Sequence, residues 1–368
     1  MRVLYITTIS GTMSFFKHFI KSLVKKGNTV DIACGQSDLP VLDSYRKMGC
    51  KIYEIGTTRS PLDIKNIQAI SKIRRIVEEG KYDLVHCHTP IAAAVTRVAC
   101  RPLRKKGIKV FYTAHGFHFY DGAPLKNWLI YYPIEKYLSR YTDVLITINK
   151  EDYNRAKKRF RARKTVYVPG VGVDIEKFAP SQSGREKIRA ELGLDNNEIM
   201  LLSVGELNRN KNHEAVIEAI EGMKITYVIV GKGDKENELR SKAEKLGVDL
   251  RLTGYRNDVA DFYDAADVYI LPSLREGLNV SLMEAMASGL PAVCGRIRGN
   301  TDLIKEEKCL FDPSNTAEIR KAIAEAIKNK DEIGRKNTEK IKGFDLHTVE
   351  NLTSRIYLGG EHQPEVLC

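Results

Sequence analysis

The stretch REGLNVSLMEAMASGLP, residues 275–291, carries two glutamates eight positions apart, Glu276 and Glu284, around an apolar segment opened by Gly277 and Asn279. Gly277 suits a tight turn, Asn279 a helix cap and Gly289 a helix stop, which predicts a helix from about Val280 to Ser288. The free N–H groups and positive dipole end of such a helix favour a diphosphate. Glu276, at its mouth, can accept hydrogen bonds from sugar hydroxyls. Glu284, inside it, has two acceptor oxygens suited to the two donors of a ribose diol. The spacing alone is weak, because a chain with 47 acidic residues holds several such pairs by chance. Position gives it weight: it follows DVYILPS, which reads as a late strand.

LLSVGELNRNKNH, residues 201–213, ends another strand and places Arg209 and Lys211 in the loop after Gly205, where cations can neutralise a leaving diphosphate. His86 and His88 alternate on the run DLVHCHT and so face the same side. With no further ligand spaced nearby, they read as structural or cleft-lining residues rather than as a metal site. His115 and His118 flank Gly116 and Phe117 at a strand end, with His115 the stronger candidate for a role in the cleft.

These loops need a scaffold that ends strands beside one another. In the first half RVLYITTI, TVDIAC, KIYEI, DLVHCHT, KVFYTAH, DVLITI and TVYVPG read as strands, separated by helical patterns. SFFKHFIKSLVKKG puts Phe15, Phe16, Phe19, Ile20, Leu23 and Val24 on one helical face, with Gly27 as its stop. DIKNIQAISKIRRIVEEG has Asp63 as N-cap and turns Ile64, Ile67, Ile70, Ile73, Ile76 and Val77 inward. The alternation restarts with IMLLSVGE, TYVIVGKG, DLRLTGY, DVYILPS and PAVCG. Two runs of β-α-β units predict an α/β chain of two doubly wound, Rossmann-like parallel-sheet domains. The Gly- and Pro-rich VPGVGVDIEKFAPSQSG, near residues 169–184, reads as the hinge, and the tail beyond Gly359 as frayed. Ligands of open parallel sheets bind outside the carboxyl ends of the strands, so a cleft between two such sheets is the expected active site.

At 368 residues, 43% hydrophobic and 29% charged, the sequence reads as a soluble globular protein with two cores and no run able to span a bilayer. MRVLYITTIS reads as a first strand rather than an export signal. Seven cysteines without a C-x-x-C pair point to reduced thiols in the cytoplasm. The net charge of +12 is uneven: of 59 Lys/Arg and 47 Asp/Glu, 32 and 15 lie before residue 181, leaving +17 there and −5 in the remainder. A solvated lysine-rich surface explains part of that excess; a nucleic acid, an anionic membrane or a phosphorylated substrate would explain more. The densest basic runs, RPLRKKGIK and RAKKRFRARK, lie near Trp128, Tyr131, Tyr132 and Tyr137 and predict a surface resting on anionic lipid. No RNP, zinc-finger or helix-turn-helix pattern accompanies them, so no nucleic-acid partner is expected.

SVGELNRNKN, LTGYRNDV, REGLNVSLMEAMASGLP and IRGNTDLI together resemble the donor domain of the GT-B glycosyltransferases of family 4. HCHTP and TAHGFHFYDGAPLKNW are similar to the subgroup that builds bacterial capsular and exopolysaccharides. The likeness covers about residues 1–358. It implies a GT-B fold, two Rossmann-like domains facing across a cleft. Residues 1–175 would bind the acceptor, 176–345 the donor, and a C-terminal helix near 346–358 would pack back on the first domain. It implies a retaining hexosyltransferase needing neither metal nor other cofactor. The donor would be a UDP-linked hexose or N-acetylhexosamine and the acceptor a polyprenyl-diphosphate-linked saccharide, with the protein peripheral to the inner face of the cell membrane.

On the matching positions the resemblance has Glu276 hold the transferred sugar beside backbone groups of Gly277, Leu278 and Asn279. Glu284 binds the ribose, Lys211 and Arg209 hold the diphosphate, and the turn Gly254, Tyr255, Arg256 edges the base. Gly11 lets the backbone approach the phosphates, and His115 and His118 lie near the acceptor. Catalysis falls to His115, Lys211 and Glu276. Two departures stand out. Gly205-Glu206-Leu207 replaces a common G-R-L, which shifts the diphosphate to Lys211 first and Arg209 second, and ISGTMS has one glycine where relatives often have two. An epimerase of the same architecture, a pyridoxal-dependent phosphorylase and a basic nucleic-acid-binding protein are the alternatives.

Overall fold

Strands buried on both faces of a parallel sheet read as continuous apolar runs, and the β-branched segments of this chain take that place. The computed structural model describes residues 1–35 and 39–359, so the tail expected to fray lies outside the described residues. The chain divides into two compact units, one of Met1–Val171 resuming at Thr353, the other of Gly172–Leu352.

The first unit holds seven parallel strands: β1 (Arg2–Thr7), β2 (Thr29–Cys34), β3 (Ile52–Glu54), β4 (Leu84–His88), β5 (Lys109–Ala114), β6 (Val144–Thr147) and β7 (Lys164–Tyr167). Their order is β3-β2-β1-β4-β5-β6-β7, so the direction of winding reverses between β1 and β4. The second unit holds β8 (Ile199–Val204), β9 (Ile225–Val230), β10 (Asp249–Gly254), β11 (Val268–Leu271), β12 (Ala292–Gly295) and β13 (Leu310–Phe311), in the order β10-β9-β8-β11-β12-β13. Its reversal lies between β8 and β11. Both sheets are doubly wound, and each reversal is where such a sheet opens a crevice for ligands.

Helix ends follow their local signals. Asp63 caps the helix Ile64–Gly80 by accepting from the Lys65 N–H at 2.9 Å. Two apolar faces depart from the periodicity. Phe15 is exposed rather than inward, because a 3-10 segment, Ser10–Phe16, precedes the helix Lys17–Lys25 and breaks the 3.6-residue register. Ile64 and Ile67 are exposed as well, while Asn66, Ala69 and Ile73 of the same helix are buried.

The helix Leu125–Leu138 is tied to the first unit by a buried ion pair. Arg97 Nη1, on the helix Pro90–Cys100, meets Glu135 Oε2 at 2.8 Å, with side chains 1% and 9% exposed. The guanidinium lies 4.5 Å over the Tyr112 ring, and Tyr112 donates to Glu135 at 3.2 Å. The six described cysteines are all buried and unbridged. Among the described residues no helix is long and apolar enough to cross a membrane.

Candidate active site

Because β8 and β11 are neighbours, the loops that leave them end side by side. After β8 the chain passes Gly205 into a 3-10 turn, Arg209–Lys211, capped by Asn208, whose side chain accepts from the Lys211 N–H. After β11 it runs through Glu276 into the helix Val280–Ala287, whose cap Asn279 accepts from the Leu282 N–H at 3.0 Å. Asn210 staples the two loops, its carbonyl accepting from the Leu274 N–H at 2.8 Å and its amide donating to the Arg275 carbonyl at 3.0 Å. Lys211 Nζ then meets Glu276 Oε1 at 2.8 Å, with side chains 17% and 14% exposed. The pair is shielded yet open to a ligand. The lysine stem rests on Gly205, where a Cβ would sit 3.1 Å from Lys211 Cε.

A second clamp fixes the same turn. Buried Arg298 donates from Nε to the Glu276 carbonyl at 3.1 Å. Gly299, at φ +81°, lies so close that a Cβ would fall 2.0 Å from the Gly277 carbonyl oxygen. A side chain there is barred twice, by conformation and by space. Further along the helix, Glu284 Oε2 accepts from the Tyr263 hydroxyl at 2.8 Å. Burial pushes the Glu284 carboxyl above its ordinary range, while the Tyr263 hydrogen bond and the Lys177 charge pull it back. Lys211, Glu276 and the Asn279-capped start of the helix that bears Glu284 thus lie on the two loops that leave β8 and β11. That set can hold an anion flanked by hydroxyl-bearing groups.

Of the other predicted residues, Arg209 and Leu278 share these two loops, whereas Gly254, Tyr255, Arg256 and Gly11 lie on others. Arg209 lines a cavity of about 460 Å³ with His213, Lys235 and Glu238. Glu206 is exposed and accepts from Asn208 at 2.8 Å. Gly254 ends β10, two strands from β8, at φ +73°, and Tyr255 beside it is exposed. The Arg256 guanidinium is taken by Glu191 at 2.7 Å and Asp258 at 2.8 Å. Leu278 is buried in the turn before the helix. Gly11 is exposed in the 3-10 segment after β1, with no neighbour a Cβ would meet.

The histidines gather in the first unit. His86 bonds Tyr357 at 2.5 Å and Thr113 at 2.8 Å, and the Tyr357 hydroxyl also meets Tyr5 at 2.8 Å. His88 Nδ1 lies 3.1 Å from His115 Nε2, with the His86 and His88 rings 4.2 Å apart. His118 instead stacks on Tyr131 at 4.4 Å. Burial holds all three clustered imidazoles neutral: His86 falls to about 3, His115 to about 4, and His88 well below its ordinary value. The unfolded chain, with histidines near 6.5, takes up protons first as pH falls. Stability of this unit is therefore expected to be complete above about pH 6.5 and to drop as pH falls towards 4. The urea midpoint read through Trp128, the single tryptophan, measures it. A midpoint unchanged between pH 7 and 5 would refute the assignment.

Arg298, Asn210 and Tyr263 escaped sequence reasoning, since each acts on a backbone carbonyl or on another residue's side chain. Asn210 and Arg298 lay inside quoted motifs, SVGELNRNKN and IRGNTDLI, and Tyr263 outside all of them.

Residues 184–342 match the family described as glycosyl transferases group 1, and residues 2–149 match one described as glycosyl transferase 4-like. Over 316 residues the chain is 37% identical to the Bacillus subtilis (strain 168) protein assigned as glycosyltransferase EpsD, covering 83% of this chain and 81% of that one. Over 257 residues it is 33% identical to an Escherichia coli UDP-Gal:α-D-GlcNAc-diphosphoundecaprenol α-1,3-galactosyltransferase, covering 66% and 65%. Anabaena HepE, solved in complex with UDP, matches with a TM-score of 0.80 at 19% identity over 98% of this chain and 100% of its own. At that identity the likeness is one of fold.

Proposed function

Since the chain belongs to the group 1 glycosyl transferases, we propose that it moves a hexose or N-acetylhexosamine from a UDP-linked donor to a lipid-diphosphate-linked saccharide in exopolysaccharide assembly, with retention at the anomeric carbon. The observation that carries this is the Lys211–Glu276 pair at the β8/β11 reversal, beside the capped start of the helix that bears Glu284. The E. coli relative acts on a diphosphoundecaprenol-linked sugar, and the HepE fold holds UDP, which supports the two substrate classes.

In this reading the diphosphate lies across the helix start, within reach of Lys211. Glu276 gives up the lysine to take hydroxyls of the transferred sugar, and Glu284, steadied by Tyr263, takes the ribose. Breaking the anomeric C–O bond leaves an oxocarbenium-like sugar and puts charge on the leaving phosphate. Lys211 and the helix N–H groups meet that charge where it grows, so the diphosphate needs no metal ion. The acceptor hydroxyl attacks from the face the nucleotide leaves, its oxygen bonding to the anomeric carbon while its proton passes to the departing phosphate oxygen. His115, with His118 further out, lies on the acceptor's side, and the exposed basic surface of the first unit faces anionic lipid.

UDP at roughly 100 times its dissociation constant is expected to stabilise the chain by about 2.7 kcal/mol, and Glu284→Gln to abolish most of that gain. Thermal unfolding with UDP, GDP and ADP in parallel decides it. A shift with GDP or ADP alone would replace the base, and no shift with any would remove the donor assignment. Conversion of the UDP-sugar without acceptor would make the protein an epimerase instead.

A further inference from the structure

His88 closes β4 opposite Thr113 of β5, and His115 follows β5 directly. Both imidazoles come to the carboxyl edge of the first sheet, where Nδ1 of His88 and Nε2 of His115 lie 3.1 Å apart. Burial holds both rings neutral, so one of these nitrogens donates and the other accepts. The surroundings decide which. His88 is 2% exposed and enclosed by rings: Tyr5 stacks on it at 5.2 Å, and Phe16 and His86 each lie 4.2 Å away. Its Nε2 is buried and has no hydrogen-bond partner among the described residues. If His115 donated, the His88 proton would sit on that nitrogen as a buried N–H with nothing to receive it. If His88 donates, only a bare lone pair is buried there. An orphaned N–H is the rarer defect in folded proteins, and an under-used acceptor the better tolerated one. His86 does not compete, because Tyr357 and Thr113 take both of its nitrogens.

The proton count carries on to His115. With Nε2 accepting, its single proton sits on Nδ1. The ring is half-buried, and Nδ1 has no partner among the described residues. We infer that His88 is a positioning residue for sugar transfer: donating from Nδ1, it fixes His115 as the Nδ1–H tautomer. His115 then meets a substrate oxygen as a hydrogen-bond donor of set orientation, not as a base. The two histidines that alternate on β4 thus part company: His86 is tied to Tyr357, His88 to His115. The tautomer follows from the histidine pair alone, whereas the substrate contact rests on the function proposed above.

Histidine-selective nitrogen-15 labelling of the full chain tests this, with imidazole N–H correlations read at pH 7 and the His115 signals identified by their loss in His115→Phe. Two variants separate hydrogen bonding from packing. His88→Phe keeps a ring between Tyr5 and Phe16 and loses the donor; His88→Asn loses the ring and keeps an amide N–H near the place of Nδ1. The parent and His88→Asn are expected to show His115 protonated on Nδ1 alone, and His88→Phe a mixture of both tautomers. Turnover with UDP-sugar and acceptor is expected to fall roughly 10-fold in His88→Phe, about the worth of one hydrogen bond, and to return towards the parent in His88→Asn. Stabilisation by UDP is expected to be the same in all three. His115 protonated on Nε2 in the parent overturns the inference, as does a His88→Phe spectrum like the parent's. The reverse ranking, with His88→Asn slow and His88→Phe unimpaired, is what packing alone would give and equally overturns it. A parent that carries the Nδ1 proton yet transfers no sugar overturns the reaction reading and the substrate contact with it, while the histidine pair stands.

Discussion

Lys211→Ala is expected to lower kcat roughly 100- to 1000-fold, the usual cost of removing one group aimed at charge that develops in the transition state. Two effects combine. The leaving diphosphate loses its nearest cation, and Glu276, 2.8 Å from the lysine in the parent, is left as an unbalanced carboxylate beside it. The second effect is separable: Glu276→Gln in the Lys211→Ala background removes the repulsion and is expected to recover part of the nucleotide affinity but not the turnover. Arg209→Ala is expected to change little, because that side chain opens on the neighbouring cavity with Lys235 and Glu238. Steady-state rates with a UDP-sugar donor decide the matter. Equal losses at residues 209 and 211 would show that the two cations share the phosphate, and no loss at residue 211 would move the site.

The largest expected effect on stability is at Glu135. Its replacement by alanine leaves the Arg97 guanidinium, 1% exposed, without its carboxylate and with the Ala93 carbonyl as its nearest oxygen. Breaking a buried pair from one side costs about 3–5 kcal/mol. The double variant Arg97→Met/Glu135→Leu removes both charges and is expected to be far milder. Trp128 stands on the same helix, so its emission follows the affected unit during urea unfolding. A single variant within about 1 kcal/mol of the parent would mean that the helix relaxes and lets water reach the guanidinium.

The strands were legible because burial on both faces writes an unbroken apolar run, as in ITYVIV of β9. β13 was not, since two residues carry no period. Helical stripes were legible as stripes, but periodicity does not say which stripe is covered. Ile64 and Ile67 lie on a true stripe that is left exposed, and Trp128 and Tyr131 prove to be the inner side of a helix whose outer side is also apolar. At the candidate site, the pairing of Lys211 with Glu276 follows from loop position once β8 and β11 are adjacent. The Asn210 staple and the Arg298 clamp do not, because both grip backbone carbonyls, which every residue type offers.

The first unit owes part of its interior to a residue far down the chain. Tyr357 is buried against His86, Tyr5, Phe19 and Phe111, yet Met1–Val171 is synthesised long before it. At about 5–20 residues per second, a ribosome needs roughly 9 to 36 s to travel from the end of that segment to the returning helix. Through that interval the emerging unit has its sheet but not the ring that fills the space beside His86. The second unit is made entirely within the wait. The order of synthesis and the order of completion are therefore opposite: the half begun first is the half finished last.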